Sequence, residues 1–314
     1  MRRTFGYIAF VVGVVLVVLS PLLRWYAYPR VAKAPTDVYD TSQTIGSGAY
    51  FNPATLSQAT SNRIVNESTA KGEPEKSTVD IAVIGIVSRT YDTTTGVVLS
   101  YGDDLYAMDR VTGYAVHCCG EFPRHEGLTL KFPFDTEKRT YLFYDSTALK
   151  AFPATYQRTD EVDGLKTYVF VSQVPKTLVG GVGFPGKLGG HPDLPSVATF
   201  RYYEATTTLW VEPLTGAIIK VTQHNRQWIT DATGVTESTL ADLTFHSSQA
   251  DINDTGGQIK TKYGQLELVR NILPIFGPIA GLILIVVGVL LLLRRRPASP
   301  GVAPAATAPA EAGA

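Results

Sequence analysis

His117, Cys118, Cys119, Glu121, His125 and Glu126 form the densest group of chemically capable side chains in the sequence. Imidazole, thiolate and carboxylate are the groups that bind zinc. The spacing matches no standard zinc knuckle, because adjacent cysteines rarely chelate one tetrahedral ion together. His125-Glu126 begins an H-E-x-x-H pattern, but Thr129 stands where the second histidine belongs. No metal is assigned, and the stretch is read as a solvent-facing turn after a strand. Cys118 and Cys119 have three readings in an oxidising compartment: a vicinal disulfide, a bond between chains, or two buried thiols.

Gly181-Val182-Gly183-Phe184-Pro185-Gly186 spells the dinucleotide fingerprint. Pro185 stands where that loop should open a helix, and no βαβ unit surrounds it, so the match is rejected. Leu178 to Pro195 is read instead as a long loop rich in Gly and Pro. No G-x-S-x-G elbow occurs, and no catalytic residue and no cofactor is assigned. Asn66-Glu67-Ser68 and Asn253-Asp254-Thr255 fit the short N-glycosylation pattern.

The elements that must carry these residues are strands. Val79–Arg89, Gly96–Tyr101, Asp104–Met108, Tyr114–His117, Leu128–Phe132 and Thr140–Tyr144 are rich in β-branched and aromatic residues. So are Thr167–Gln173, Ala198–Val211, Ala217–Trp228 and Ser238–His246. With no long amphipathic helix between them, an antiparallel sheet is expected. Asp109-Arg110-Val111-Thr112-Gly113 echoes Glu212-Pro213-Leu214-Thr215-Gly216. Each is read as a hairpin turn, with Gly113 and Gly216 at positive φ and Thr112 and Thr215 bonding to turn amides. The echo is either two similar hairpins or a duplicated motif forming two similar lobes. Asp37 to Ser77, rich in Thr, Ser, Ala, Asn and Gln, reads as an extended arm or a loosely packed entry to the domain.

Two uncharged apolar runs bracket this region, Phe5–Leu23 and Ile272–Leu293. Each is long enough to cross a hydrocarbon core about 30 Å thick. The first has the parts of a signal peptide, but its apolar core is long and Pro35 follows the Ala32-Lys33-Ala34 site, so it is read as an uncleaved anchor. Arg294-Arg295-Arg296 places the C-terminus in the cytoplasm, and two spans place the N-terminus there too. Trp25, Tyr26 and Tyr28 fit an interfacial belt. The tail, rich in Pro and Ala, is expected to be disordered.

The chain is then divided into a span at 1–24, a linker and arm at 25–77, and an extracytoplasmic β-rich domain at 78–250. A partly helical juxtamembrane segment at 251–271, a span at 272–293 and a cytoplasmic tail at 294–314 complete it. The formal net charge is zero, and five of the basic residues are terminal arginines. The middle is therefore mildly acidic, and nucleic acid is not an expected partner.

Several stretches resemble the actinobacterial PorA-like family of double-anchored envelope proteins. They are Asp109–Gly113, Phe132–Lys138 with Tyr141, Val162–Leu165 with Tyr168 and Phe170, and Leu209–Gly216. The resemblance covers nearly the whole chain with both spans. It implies a plasma-membrane protein concerned with trehalose-mycolate lipid trafficking and polar growth, alongside a transporter of the RND class. Cys118-Cys119-Gly120-Glu121 looks more like streptomycete-type members. Leu209–Gly216 is also similar to the strand–turn motif of LolA-type lipoprotein carriers, which implies a curved antiparallel sheet around an apolar cavity.

The expected fold is mainly β, a β-rich α+β chain with a curved antiparallel sheet flanked by two transmembrane helices. The leading functional reading is a membrane-tethered, non-enzymatic binding module for a lipid or amphiphile. Tyr141, Phe143, Tyr144, Tyr168, Phe170 and Trp210 are its candidate cavity-lining residues, with ordinary core packing as their other role. The alternatives are a scaffold for an envelope transporter or growth machinery, and an envelope hydrolase.

Overall fold

The computed structural model describes residues 2–187, 191–231, 233–234 and 237–293. The Arg294–Arg296 cluster and the tail beyond it lie outside the described residues. In chain order the elements are α1 (Arg2–Leu22), a π-helical turn (Leu23–Ala27), α2 (Tyr28–Val31) and ten strands. The strands are β1 (Tyr39–Asn52), β2 (Ser57–Gly72), β3 (Ile81–Asp92), β4 (Val98–Asp109), β5 (Tyr141–Asp145) and β6 (Lys150–Val162). β7 (Leu165–Pro185), β8 (Ser196–Val211), β9 (Ile218–Thr230) and β10 (Glu237–Ser247) follow. Then come α3 (Gln249–Glu267), a second π-helical turn (Leu268–Ile272) and α4 (Leu273–Leu293). The chain divides into two compact units, one holding α1 and α4, the other being Tyr28–Glu267.

In the helical unit, α1 and α4 are long and apolar enough to cross a membrane. They pack antiparallel along small residues. A Cβ placed on Gly6 would meet Leu292 at 3.1 Å, and one on Gly288 would meet the Gly6 carbonyl at 2.8 Å. Gly13 faces Gly281, and Ser20 faces Gly277. Small residues thus recur every seventh position on α1 and let the two backbones approach.

In the other unit all ten strands join one sheet, in the order β4-β3-β2-β1-β10-β9-β8-β7-β6-β5, and every ladder is antiparallel. The two similar lobes suggested by the echo are not separate: both turns belong to this single sheet. The stretch read as an arm is instead β1 and β2, two long strands near the middle of the sheet. Leu178–Pro195, read as a loop, is largely a long hairpin, paired from Leu178↔Tyr202 to Pro185↔Ser196. β6 was not anticipated, and β7 and β3 outrun their expected ends.

The sheet is open between β4 and β5, and residues 110–140 connect those edges. Leu105 of β4 exchanges two backbone hydrogen bonds with Phe122, while Leu128 N–H donates to the Leu142 carbonyl of β5 and the Leu128 carbonyl accepts the Tyr144 N–H. The strands expected at Tyr114–His117 and Leu128–Phe132 are reduced to such isolated bridges. Leu128 and Phe132 enter a core with Tyr141, Ala154, Phe170, Leu209 and Val211. α3 begins where Ser248 Oγ accepts the Asp251 N–H, an N-cap arrangement. Its Ile252 and Ile259 pack on Leu165 and Ile219, and a register shift between β8 and β9, which leaves Ile219 unpaired between Ile218 and Lys220, separates it from the inward row of β9.

Candidate functional site

A cavity of about 880 Å³ lies against the inner face of the sheet. Residues of β1–β4 and β7–β10 line it, with Ser146, Thr147 and Leu149 from the β5–β6 turn. The register explains the lining. Thr44 of β1 pairs with Asn66, Asn66 with Thr90, and Thr90 with Ser100. Since side chains of directly paired residues share a face, these four form one polar row across the sheet. The Asn66 amide donates to Thr90 Oγ1 at 2.8 Å. On β9, Val221, Gln223, Asn225 and Gln227 alternate onto the same face. Tyr50, Leu243 and Phe245 supply a buried apolar floor. The lining is therefore amphipathic, not the apolar one implied by the likeness to LolA-type carriers.

Val221 both lines the cavity and packs on the core closed by Leu128 and Phe132. Residues 110–140 thus fill one part of the inner face and leave the rest open. Val98 to Asp104 of β4, one edge strand of the sheet, and Leu149 of the turn that follows β5, the other edge strand, both line the cavity. Among the described residues, no backbone ladder continues the sheet outward from Val98–Asp104. Tyr101, on that flank, is 65% exposed.

The six candidate lining aromatics do not line this cavity. Tyr141 and Phe170 are buried in the adjoining core, and Phe143 and Tyr168 pack against it. Tyr144 lies edge-on to His125 at 4.9 Å. Trp210 follows the inward Leu209 and so faces the other side of the sheet, where its Nε1–H donates to Asp160 at 3.1 Å. Strand composition marks these residues as apolar and places them on strands, without assigning a face. Residues 110–140, which cover most of them, carry no periodic signal.

The cluster from His117 to Glu126 is not a simple exposed turn. His125 is fully buried, stacked on Tyr106 at 3.9 Å, with Glu121 3.6 Å from its Nδ1. Burial pushes the His125 imidazole below its ordinary pKa, against the pull of Asp104 and Glu121. The other oxygen of Glu121 lies 2.6 Å from His117 Nδ1. Cys118 and Cys119 are bonded to each other. No three metal-capable side chains converge among the described residues.

The hairpin turns are alike in detail. Thr112 donates its N–H and hydroxyl to Asp109, and Thr215 donates both to Glu212. Gly113 and Gly216 have φ of 75° and 72°. A third copy, Asp92-Thr93-Thr94-Thr95-Gly96, escaped the sequence reading although its letters repeat the pattern. Gly96 N–H donates to the Asp92 carbonyl at 2.8 Å, and Tyr50 OH donates to the Asp92 carboxylate at 2.9 Å, which ties this turn to the cavity floor.

Comparison with known proteins gives the family. The family model described as Porin PorA matches residues 5–290. A Porin PorA of Corynebacterium amycolatum is 22% identical over 299 residues, covering 71% of this chain and 77% of its own length. A Porin PorA of Corynebacterium resistens is 27% identical over 147 residues, covering 32% of this chain and 35% of its own. The two apolar helices agree with a place in an envelope membrane. With a match that spans both helices and the whole sheet between them, the chain belongs to the Porin PorA family.

Proposed function

We propose that this chain is a membrane-tethered, non-enzymatic binding module that holds a lipid or other amphiphile on the extracytoplasmic side of the plasma membrane. The observation that carries the reading is the amphipathic cavity of about 880 Å³, large enough for a lipid-sized guest. Its apolar floor suits an acyl chain, each buried CH₂ contributing about 0.8 kcal/mol. Its rows of hydroxyl and amide groups suit a polar head. Two anchors hold such a site near the bilayer and raise its effective concentration there. The antiparallel packing of α1 on α4 supports a topology with both termini on one side, and the Arg294–Arg296 cluster favours the cytoplasm. An envelope transporter of the RND class is the partner implied by family resemblance.

The relatives' name favours a second reading, a channel. The strands give it little support as a lipid-facing barrel. Arg89, Arg158, Lys166 and Lys176 are exposed on strands, and a cation at the bilayer midplane costs about 2–4 kcal/mol. A channel would have to be built from α1 and α4 of several copies.

Native mass spectrometry of the full chain, purified from host membranes, separates the two. A bound amphiphile is expected on the wild type and at lower occupancy on Gln223→Trp, which intrudes into the cavity. An empty wild-type protein, together with stepwise conductance in planar bilayers, would replace the binding reading with the channel.

A further inference from the structure

Arg201 of β8 shares the inward row with Thr199 and Tyr203 and lines the cavity. Among the described residues it is the one cationic side chain in the lining. Three other strand arginines have carboxylates at hand. Arg89, Arg158 and Arg226 lie 3.7, 3.0 and 3.8 Å from Glu67, Asp160 and Glu204. Among the described residues nothing pairs with the Arg201 guanidinium. A guanidinium keeps its charge and offers five donors in a planar fork, a shape that fits carboxylate or phosphate. Half-buried and unpaired, it is poised for an anion brought from outside the chain.

Its surroundings divide by chemistry. Gln227 and Thr147 line the same cavity and add neutral donors. Val179 and Leu149 add apolar surface. The carboxylates in the lining, Asp103 and Asp104, lie on β4, with five strands between β4 and β8 in the sheet order. Asp104 accepts the Tyr106 hydroxyl at 3.1 Å, and no ion pair joins either carboxylate to Arg201.

We infer that the cavity takes an amphiphile whose head carries an anionic group, carboxylate or phosphate, held by Arg201 while its chain lies on the apolar floor. The inference rests on the amphiphile-binding reading and narrows its ligand class. It predicts that neutral amphiphiles of equal chain length bind less well.

The test uses the full chain in phosphatidylcholine nanodiscs, with a diazirine-bearing palmitate and its methyl ester as probes. Photolabelled peptides are mapped by mass spectrometry. The palmitate should label cavity-lining peptides about tenfold more than the ester, the worth of one charge-assisted contact. Arg201→Gln should lower palmitate labelling to the ester's level and leave the ester's unchanged, while Arg201→Lys keeps part of the preference. Unchanged melting of both variants rules out misfolding as the cause. Excess acetate or inorganic phosphate should not displace the palmitate; displacement would mean a small-anion site and overturn the inference. Equal labelling by both probes would overturn it too, leaving the amphiphile reading intact. Absence of cavity labelling by either probe would overturn both.

Discussion

Gly13 of α1 and Gly281 of α4 face each other so closely that a Cβ on either would lie 2.6 Å from the other's carbonyl oxygen. The stretches of both helices long enough to span a membrane are uncharged and largely apolar, so hydrophobicity gives no reason for them to associate in lipid; close backbone packing does. Gly13→Leu should therefore cost about 1–3 kcal/mol, the usual penalty of overpacking. Val14→Leu, at a neighbouring exposed position, should stay within about 0.5 kcal/mol. Unfolding of both variants in mixed micelles measures the difference. Equal effects would mean that the helices do not depend on this contact.

The three Asp/Glu-x-x-Thr-Gly turns offer an internal control. Gly96 and Gly216 have nearly the same φ, 74° and 72°. A Cβ on Gly96 meets nothing within 4 Å, whereas one on Gly216 runs into the backbone carbonyls of Phe132 and Pro133. Gly96→Ala pays only the left-handed backbone strain, about 1–2 kcal/mol. Gly216→Ala must also push away the 110–140 segment, so it should cost about 2 kcal/mol more. Denaturant midpoints decide this. Equal losses would show that the 110–140 segment is not held against this turn.

Much of the sheet was legible because most strands are rich in β-branched and aromatic residues between turn signals. β1 and β2 were not, and the cavity is the reason. Thr44, Asn66 and Ser68 face inward, so the inner face reads as polar and the alternation that marks a half-buried strand disappears. Gly180, Gly181, Gly183 and Pro185 hid the far half of β7, which still pairs with β8. The site was missed for a related cause. Aromatic residues on strands suit a cavity lining and a core equally, and which they form depends on what residues 110–140 cover, a segment with no period. Trp210 is the exception: its alternation with Leu209 already assigns it to the other face.

Lys131 lies within that segment, 9% exposed, with its ammonium 3.6 Å from the centre of the Phe134 ring. Burial lowers its pKa from 10.5 to about 7, and Asp109 opposes the shift. Between those values the unfolded chain holds a proton that the folded chain does not, so stability rises with pH from about 7 to about 10.5. Below pH 7 the folded protein carries the full cost of a buried charge, on the order of 5 kcal/mol before the ring's attraction is counted. Lys131→Met should remove this slope and raise stability most at and below neutral pH. Melting temperatures of wild type and variant measured across the window test it. Parallel curves would mean that Lys131 does not titrate there.

Cys118 and Cys119 close the smallest loop a disulfide can make, so little chain entropy is at stake. Loop-closure arguments give only about 1 kcal/mol for such a ring. The bond's influence should be local. Cys119 and Gly120 both have positive φ, and Glu121 N–H returns to the Cys118 carbonyl at 3.0 Å. That turn places Glu121 between His117 and His125. The protein purified from host membranes without reductant should have an intact mass short of two hydrogens and resist alkylation until reduced. The double variant Cys118→Ser, Cys119→Ser should lose about 1 kcal/mol while its His117 and His125 resonances shift, since the carboxylate between them is no longer fixed. Two thiols alkylated without reductant would overturn the bond. A loss of several kcal/mol would show that the bond supports the whole 110–140 segment and not merely this turn.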